Sequence, residues 1–220
     1  MKNKTFAIIP AHNEEKHIDK IVRKTRKYVD NVIVVDDGSK DRTKDMAKRS
    51  KAIVLSHWVN LGKGAALKTG CEYAIKNKAD VIIVMDADAQ HDPSEIPKFL
   101  HKLKDHNIVL AYRKPNKDMP TILKFGDSFI NKTINFLYGI KIKDSQCGYR
   151  AFTSQTYRKL RWKASDYSIE SEMIAKISKH KLSYTEIPIE NVYSDKYKGT
   201  TILDGIKIVF NLLMWKFNNI

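Results

Sequence analysis

The sequence predicts an α/β fold in which helices cover both faces of a mostly parallel central sheet. Short apolar runs alternate with helical patterns through the first half of the chain, and each apolar run ends in a polar turn. This alternation is typical of βαβ units, whose parallel strands are joined by right-handed crossovers. A chain of 220 residues is also long enough to bury a substantial core.

The first half contains four apolar runs, which predict strands at residues 5–9, 32–35, 52–55 and 81–85. Continuous apolar runs, unlike alternating ones, are typical of strands that are buried on both faces. Helices are predicted between the strands from the spacing of apolar residues and from Asp41 as an N-cap, at residues 18–28, 41–49 and 65–77.

The second half is less regular, but its patterns predict further elements. We expect Ser94 to cap a helix that runs to Leu103, and we expect the strand after it to end at Arg113. A long helix and a polar loop precede another strand-to-helix unit, and the later strand is expected to break at Pro188. The predicted ranges are 94–103, 108–112, 114–120 (loop), 122–138, 143–150 (loop), 168–179, 184–192 and 201–218.

Composition limits the kinds of partner. The net charge of +15 favours an anionic partner such as a phosphorylated substrate, lipid headgroups or nucleic acid, although residue bias of the organism is an alternative. No nucleic-acid-binding motif accompanies the charge, so we expect no nucleic acid. Two cysteines form no disulfide framework, and the sequence has neither a leader pattern nor a membrane-spanning run. These features predict a reducing, cytoplasmic location.

Three polar turns follow strands that we expect to be neighbours, at residues 10–14, 36–39 and 86–90. The carboxyl ends of parallel strands meet at one edge of the sheet, which is where open α/β sheets bind their ligands. The convergence of three such turns therefore favours a nucleotide site at this edge.

The turn after the fourth strand carries Asp86, Asp88 and Gln90. Two carboxylates this close repel each other unless a cation lies between them, and hard oxygen ligands suit Mg²⁺ or Mn²⁺ that holds a diphosphate. From the local pattern alone, an equally good interpretation is an Asp-rich turn that caps the next helix.

The helix predicted at 201–218 is apolar around most of its circumference, with a narrow polar stripe formed by Asp204, Lys207 and Asn211. A surface helix needs far less apolar coverage. We therefore expect it to be buried in a partner subunit or to lie in a membrane interface, where Trp215 and Lys216 would be well placed. Packing on the core of its own chain is the alternative.

Four ordered motifs resemble those of family 2 glycosyltransferases, which have the GT-A fold, and in particular the dolichyl-phosphate mannose synthase and polyprenyl-phosphate glycosyltransferase branch. The motifs are residues 8–15 (IIPAHNEE), 34–39 (VVDDGS), 60–66 (NLGKGAA) and 86–91 (DADAQH). The likeness continues through residues 144–152 and 170–173, so it covers nearly the whole chain.

The resemblance implies roles on the donor side. The base and ribose pocket would be lined by Pro10, Ala11, Asn13 and Glu14. Asp37 would accept hydrogen bonds from the base edge, and a donor without the matching N–H groups would be rejected. Lys63 lies in a glycine-flanked loop that opens a helix, where backbone N–H groups could cradle phosphate oxygens. A solvated lysine is the alternative.

The resemblance also implies a metal set. Asp88 and Gln90 would bind Mg²⁺ or Mn²⁺ directly, and Asp86 would bridge the ion and the donor. The ion would neutralise the diphosphate leaving group as the anomeric bond breaks. We expect His91 to pack in the turn and not to bind the metal.

The acceptor side is predicted from an absent motif. A hydroxyl acceptor needs a general base, whereas a lipid monophosphate is already ionised near neutral pH. The Glu-Asp base motif of hydroxyl-glycosylating relatives is missing, and Asp144 begins a different loop. A phosphate nucleophile held by cations is therefore favoured. The first candidates are Arg113 and Arg150, and the weaker ones are Lys124, Ser128 and Lys198. Lys124 would stand where relatives have an arginine, and lysine is a poorer bidentate donor.

Together these observations predict an inverting, metal-dependent transfer of a hexose from a GDP-mannose or UDP-glucose type donor to polyprenyl or dolichyl phosphate, as in protein glycosylation. Transfer to a saccharide hydroxyl and a non-catalytic nucleotide-sugar-binding subunit are the alternatives; a Rossmann methyltransferase is disfavoured by the lack of a GxGxxG loop. We expect a catalytic domain at 1–200, with a donor half (1–113) and an acceptor half (114–200). Residues 201–220 would dock peripherally on the cytoplasmic face of the membrane or on a membrane-anchoring partner.

Overall fold

A computed structural model describes residues 3–114, 121–190 and 202–218 of the chain. The strands within these ranges form one sheet in the order β3-β2-β1-β4-β6-β5-β7. They are β1 (Thr5–Ala11), β2 (Asn31–Asp37), β3 (Ile53–His57), β4 (Val81–Val84), β5 (Ile108–Arg113), β6 (Arg150–Thr153) and β7 (Tyr184–Ile189).

The helices of the same ranges cover both faces of this sheet. They are α1 (Ile18–Thr25), α2 (Thr43–Arg49), α3 (Lys63–Lys76), α4 (Ile96–Lys102), α5 (Thr121–Tyr138), α6 (Ser154–Leu160), α7 (Ile169–Lys179) and α8 (Ile202–Phe217). A short 3₁₀ turn, Pro93–Glu95, precedes α4. The α/β class is therefore confirmed.

Parallel pairing dominates the sheet, as predicted. β1 pairs in parallel with β2 and with β4, and β2 pairs in parallel with β3. The exception is β6, which runs antiparallel between β4 and β5. Because β2, β1 and β4 are adjacent and parallel, the turns that follow them lie at one edge of the sheet.

The buried strands separate two apolar cores. Ile8 and Val35 face the core beneath α3, and Ile9 and Val34 face the opposite core beneath α1. The α3 helix lies very close to β1, since a Cβ atom on Gly70 would stand 2.3 Å from Cγ2 of Ile8. A side chain larger than glycine would therefore push the helix away from the sheet.

Four local predictions need correction. The helix α2 begins at Thr43 with Arg42 as its N-cap, and not at Asp41. The helix α3 begins at Lys63 and not near residue 65. The turn before α4 is capped by Asp92 and not by Ser94, since the Asp92 carboxylate accepts the N–H of Ser94. The strand β7 continues through Pro188, which pairs with Tyr112. Because β7 is an edge strand, the N–H group that proline lacks is not needed for a further neighbour.

The last helix packs on the core of its own chain along one face. Ile208 and Leu212 are buried with residues of α5 and α7, and the hydroxyl of Tyr138 donates to the carbonyl oxygen of Leu212 at 2.6 Å. Its other face is exposed and carries Ile206, Phe210, Leu213, Met214 and Phe217. Within the described ranges, none of the helices combines the length and the apolar character needed to cross a membrane.

Candidate active site

The loop after β1 is tied to the loop after β2 by its own polar groups. Asn13 has a φ of 56°, a left-handed conformation that asparagine tolerates. Its N–H donates to Oγ of Ser39 at 2.9 Å, and its Oδ1 accepts the N–H of Lys40 at 2.9 Å. Glu14 is buried, and its N–H donates to Oγ1 of Thr43 at 2.7 Å. These contacts bring together two of the predicted turns in a fixed conformation.

The predicted base and ribose residues therefore share one edge of the sheet, but not one environment. Asn13 is exposed, Pro10 is half-buried, and Ala11 is buried in the core beneath α1. The amide of Asn13 already binds Lys40. Their contact with a base or a ribose stays a prediction.

The carboxylate of Asp37 is fully engaged with the segment between β3 and α3. Its Oδ1 lies 2.7 Å from Nδ1 of His57 and accepts the N–H of Leu61 at 2.9 Å. Its Oδ2 accepts the N–H of Gly62 at 2.8 Å. A nucleobase would have to compete with these three donors, so this contact with the loop stands in place of the predicted free carboxylate.

Lys63 is the central cation of the site and not a solvated lysine. Its ammonium lies 2.7 Å from Oδ1 of Asp86 and 2.9 Å from Oε1 of Glu170. Burial alone would lower the pKa of Lys63, but the two carboxylates outweigh burial and raise it above its usual value. The same ion pair outweighs the burial of Asp86 and lowers the pKa of that carboxyl. Both groups are therefore charged at neutral pH.

The start of α3 does not form the predicted phosphate cradle. The N–H groups of Gly64 and Ala65 donate to the carbonyl oxygen of Ser165 at 2.8 and 3.3 Å. The indole N–H of Trp162 donates to the carbonyl oxygen of Gly64 at 2.9 Å and fixes the same segment against the helix. Because these amides are satisfied within the chain, the group of this loop that faces the site is the side chain of Lys63.

The turn after β4 is folded around His91. Nδ1 of His91 accepts the N–H of Asp86 at 3.0 Å, and its ring stacks on Tyr149 with centroids 4.9 Å apart. Burial lowers the pKa of His91, which fits a neutral acceptor. Asp88 Oδ1 accepts the N–H of Gln90 at 3.0 Å, and Ala89 adopts a left-handed φ of 65°. His91 therefore packs in the turn, as predicted.

The residues fit a divalent cation in one specific respect. The Asp86 carboxylate can hold a cation, since its Oδ1 binds the ammonium of Lys63 at 2.7 Å. Asp88 and Gln90 lie in the same turn and supply hard oxygen atoms. However, no three His, Cys, Asp or Glu side chains of the described ranges form a cluster that could hold a metal. These side chains could therefore supply only part of a metal's ligand set, and other oxygen ligands would have to complete it.

Arg113 ends β5 and is held by two carboxylates. Its Nε lies 2.6 Å from Oδ2 of Asp144, its Nη2 lies 2.9 Å from Oδ1 of the same group, and Nη2 is 3.4 Å from Oδ2 of Asp127. Burial opposes ionisation of Asp144, but the guanidinium outweighs it and lowers the pKa of that carboxyl. Asp144 is thus the counterion of Arg113 and not a free carboxylate.

Arg150 does not have the predicted position in an acceptor-phosphate site. Its guanidinium is 1% exposed and donates to the carbonyl oxygens of Cys147, Glu170 and Ser145 at 3.0, 2.8 and 2.8 Å. Burial lowers the pKa of this arginine. A guanidinium that is surrounded by backbone carbonyls has no free edge for a phosphate, so Arg150 holds the 145–149 loop against α7 instead.

The weaker acceptor candidates are placed differently from one another. Ser128 is exposed on α5, directly after Asp127, which contacts Arg113. Lys124 lies in the first turns of the same helix. Lys198 lies outside the described residues. Through Asp127, the structure therefore brings the helix that carries Lys124 and Ser128 next to Arg113.

Asp127 gives a testable pH dependence. Burial, despite the opposing effect of Arg113, raises the pKa of Asp127 from 3.8 to about 6. Between pH 3.8 and about pH 6, Asp127 keeps a proton in the folded protein that it releases in the unfolded chain. The free energy of unfolding should therefore fall as pH rises through this range. Asp127→Asn removes the cost of burying the ionised carboxylate, so it should stabilise the protein by about 1–3 kcal/mol above pH 6 but not at pH 4. Urea unfolding across this pH range measures it, and a destabilised variant above pH 6 would contradict the expectation.

Comparison with known proteins identifies the family. Residues 6–164 match the family model described as "Glycosyl transferase family 2". The chain belongs to glycosyl transferase family 2. Two relatives are similar to this glycosyltransferase over nearly its whole length. One is the UDP-N-acetylglucosamine–dolichyl-phosphate N-acetylglucosaminyltransferase of Methanococcus voltae, with 32% identity over 98% of this chain and 97% of the relative. The other is the undecaprenyl-phosphate mannosyltransferase of Micrococcus luteus, with 28% identity over 96% and 93%.

A solved structure is similar to the glycosyltransferase in fold. Glucosyl-3-phosphoglycerate synthase from Mycobacterium tuberculosis, in complex with Mn²⁺, UDP-glucose and phosphoglyceric acid, matches with a TM-score of 0.80. The alignment covers 98% of this chain and 80% of that chain at 18% identity. The predicted GT-A fold is confirmed.

Sequence reasoning missed three groups at the site of this glycosyltransferase. Glu170 lies in the first turn of α7, where its carboxylate binds Lys63. Gly148 lies against the ion pair, since an added Cβ would be 2.7 Å from Nζ of Lys63 and 3.0 Å from Oδ2 of Asp86. Asp127 contacts Arg113. The motif segments at 144–152 and 170–173 were the available signal for the first two, while Asp127 had none.

Proposed function

We propose that this glycosyltransferase moves a hexose or N-acetylhexosamine from a nucleotide-sugar, with a UDP-linked donor as the first choice, to a polyprenyl or dolichyl phosphate. The observation that carries the proposal is the charged cluster of Lys63, Asp86 and Glu170 beside Asp88 at the carboxyl edge of β4. A cation flanked by carboxylates at this edge suits a ligand that brings both phosphate and metal. The names of the two relatives support a lipid phosphate as acceptor.

In this proposal the chain's own residues divide the work. Asp86, Asp88 and Gln90 would hold Mg²⁺ or Mn²⁺, which would stabilise negative charge on the departing nucleoside diphosphate. Lys63 would contact the same diphosphate. Pro10, Ala11, Asn13 and Glu14 would bind the nucleoside, while Asp37 would hold the segment from His57 to Gly62 in place. The acceptor phosphate would attack the anomeric carbon from the opposite side, so that transfer inverts the configuration.

Arg113, with Ser128, Lys124 and Lys198 as further candidates, would hold the acceptor phosphate. Arg113 is only partly buried, and the 3.4 Å contact between its Nη2 and Asp127 is the longest of its ion pairs. A phosphate with two charges could take the place of that carboxylate while Asp144 keeps the guanidinium in its plane. Arg150 is left out of this set because its guanidinium is buried.

A second candidate function is transfer to a saccharide hydroxyl. It is favoured by Asp127, because a carboxyl whose pKa is raised to about 6 suits a general base near neutral pH. The two functions differ in the expected effect of Asp127→Asn. The rate of sugar transfer to a hydroxyl acceptor should fall by about 100-fold or more, whereas transfer to a phosphate acceptor should persist because it needs no base.

The deciding experiment is an acceptor and donor panel. The purified chain is incubated with radiolabelled UDP-GlcNAc, UDP-glucose or GDP-mannose, with Mn²⁺, Mg²⁺ or EDTA, and with a short polyprenyl phosphate or a methyl glycoside. We expect a chloroform-extractable product from polyprenyl phosphate with at least one donor, and none with EDTA. Product from the methyl glycoside alone would support the second function, and no product from any combination would contradict both.

We also propose that the exposed face of α8 binds a lipid surface. Its apolar residues are spaced as a single stripe, and Phe210 and Phe217 are 61% and 80% exposed. The net charge of +15 complements anionic headgroups. Phe210→Glu should lower sedimentation with vesicles of phosphatidylglycerol and phosphatidylcholine by about tenfold. Phe210→Leu, which stays apolar, is the matched control. Equal binding of all three proteins would contradict this docking surface.

A further inference from the structure

The ammonium of Lys63 binds the carboxylate of Asp86, one of the groups proposed above to hold the metal. Three separate elements deliver the groups: Lys63 begins α3, Asp86 follows β4, and Glu170 lies in the first turn of α7. The ammonium is 2.7 Å from Asp86 and 2.9 Å from Glu170, and the Glu170 side chain is 5% exposed. One ammonium shared by two carboxylates offsets one of their two negative charges. The Asp86 carboxylate thus already has a cation in direct contact without any metal.

A divalent ion cannot simply be added to this arrangement. An ion bound to Asp86 would lie within a few ångström of the ammonium, and like charges at that distance repel strongly in a partly buried site. The backbone at Gly148 closes one side, because even a Cβ atom there would be 2.7 Å from Nζ. The ring centroid of Tyr167, which is 45% exposed, lies 5.9 Å from Nζ. The ammonium therefore has little space on the side of Gly148, where a metal ion would also have to fit.

We propose that Lys63 is an internal cation that competes with the divalent metal for Asp86, and that the nucleoside diphosphate relieves this competition by accepting the ammonium. The inference rests on the proposed function, since it takes the donor diphosphate and the metal from it. Glu170 keeps Lys63 near the site when the ammonium moves. The consequence is a positive coupling between metal and nucleotide. The metal binds weakly alone and tightly when nucleotide is bound, and the nucleotide likewise binds more tightly when the metal is bound.

The test measures Mn²⁺ binding by electron paramagnetic resonance, with and without UDP or GDP, and needs no turnover. In the wild-type protein, nucleotide should lower the Kd for Mn²⁺ by at least about tenfold, within the usual range for coupled sites. In Lys63→Met, Mn²⁺ alone should bind about tenfold more tightly than to wild type, and the effect of nucleotide should shrink. Lys63→Gln, which can still hydrogen-bond to Glu170, serves if the methionine variant does not fold.

A control separates competition for Asp86 from a general change in charge. Lys68→Met removes the same charge from an exposed position on the same helix and should change the Kd for Mn²⁺ by less than about twofold. An unchanged Kd for Mn²⁺ in folded Lys63→Met or Lys63→Gln, with wild type still binding Mn²⁺ in the presence of nucleotide, would overturn this inference alone. Failure of all proteins to bind Mn²⁺ with either nucleotide would overturn the proposed metal-dependent function as well.

Discussion

Asp88→Asn is expected to lower the turnover number by about a thousandfold, the scale of removing one electrostatic stabiliser of a transition state. The neutral amide is a much poorer ligand for Mg²⁺ or Mn²⁺ than the carboxylate. The fold should survive, because the interaction of Asp88 within the turn is the acceptance of the Gln90 N–H at 3.0 Å, which an amide oxygen can also make. Initial rates with saturating donor and polyprenyl phosphate measure the effect, and the Kd for Mn²⁺ should rise in parallel.

Asp92→Asn is the matched control for this substitution. Asp92 lies just beyond the same turn, and its Oδ1 accepts the N–H of Ser94 at 3.0 Å. Asparagine is as good an N-cap as aspartate, so turnover should stay within about twofold of wild type. Wild-type turnover in Asp88→Asn would contradict the assigned metal role. A non-catalytic nucleotide-sugar-binding subunit would instead have no turnover to lose, and its Asp88→Asn variant would keep its partner contacts.

The sequence predicted what depends on local patterns. The apolar runs before Asp36 and Asp86 specify strands that can be buried on both faces, and helical spacing between them specifies the crossovers. Parallel pairing then follows, together with the meeting of the turns at one edge. The edge of the sheet where the charged cluster lies was therefore available from the sequence, and Asp86 belongs to that cluster.

The sequence did not predict which polar groups are used within the protein itself. The glycine-flanked loop at Lys63 has the composition of a phosphate cradle, but Ser165, distant along the chain, accepts the amides of Gly64 and Ala65. Likewise, the sequence gives no reason to distinguish Arg150 from Arg113. In the structure, Arg150 is surrounded by backbone carbonyl oxygens, whereas Arg113 is paired with carboxylates. Such partners are set by tertiary packing, which no local spacing encodes.

Tertiary packing also explains why the sequence analysis misplaced Arg150 and missed Gly148. β6 is inserted antiparallel between β4 and β5, so residues far apart in sequence meet at the site through long-range pairing. This insertion places the loop with Gly148 over Lys63 and Asp86. A loop that packs against a charged pair has no periodic pattern of apolar residues in its sequence. From the sequence alone, Gly148 could be interpreted only as a turn residue.

Asp144→Ala is expected to lower the free energy of unfolding by about 3 kcal/mol, the scale measured when one partner of a buried ion pair is removed. Asp144 is 9% exposed, and it makes the bidentate contact with Arg113 at 2.6 and 2.9 Å. It also accepts the N–H of Gln146 at 3.2 Å. Without this carboxylate, the ion pair left to the guanidinium within the described ranges is the 3.4 Å contact with Asp127. Denaturant unfolding at constant pH measures the loss, and Asp105→Ala, at an exposed position, should cost less than about 0.5 kcal/mol.

A double-mutant cycle tests whether the loss comes from the uncompensated arginine. In Arg113→Ala with Asp144→Ala neither charge is left without its partner, so the double variant should be less destabilised than the sum of the single variants, by about 1–3 kcal/mol. Both Asp144→Ala and the double variant should also lose transfer to polyprenyl phosphate, since Asp144 positions the guanidinium proposed to hold the acceptor. Additive destabilisation would instead mean that Asp144 acts mainly through the backbone N–H groups of Arg113 and Gln146, which it accepts at 3.1 and 3.2 Å.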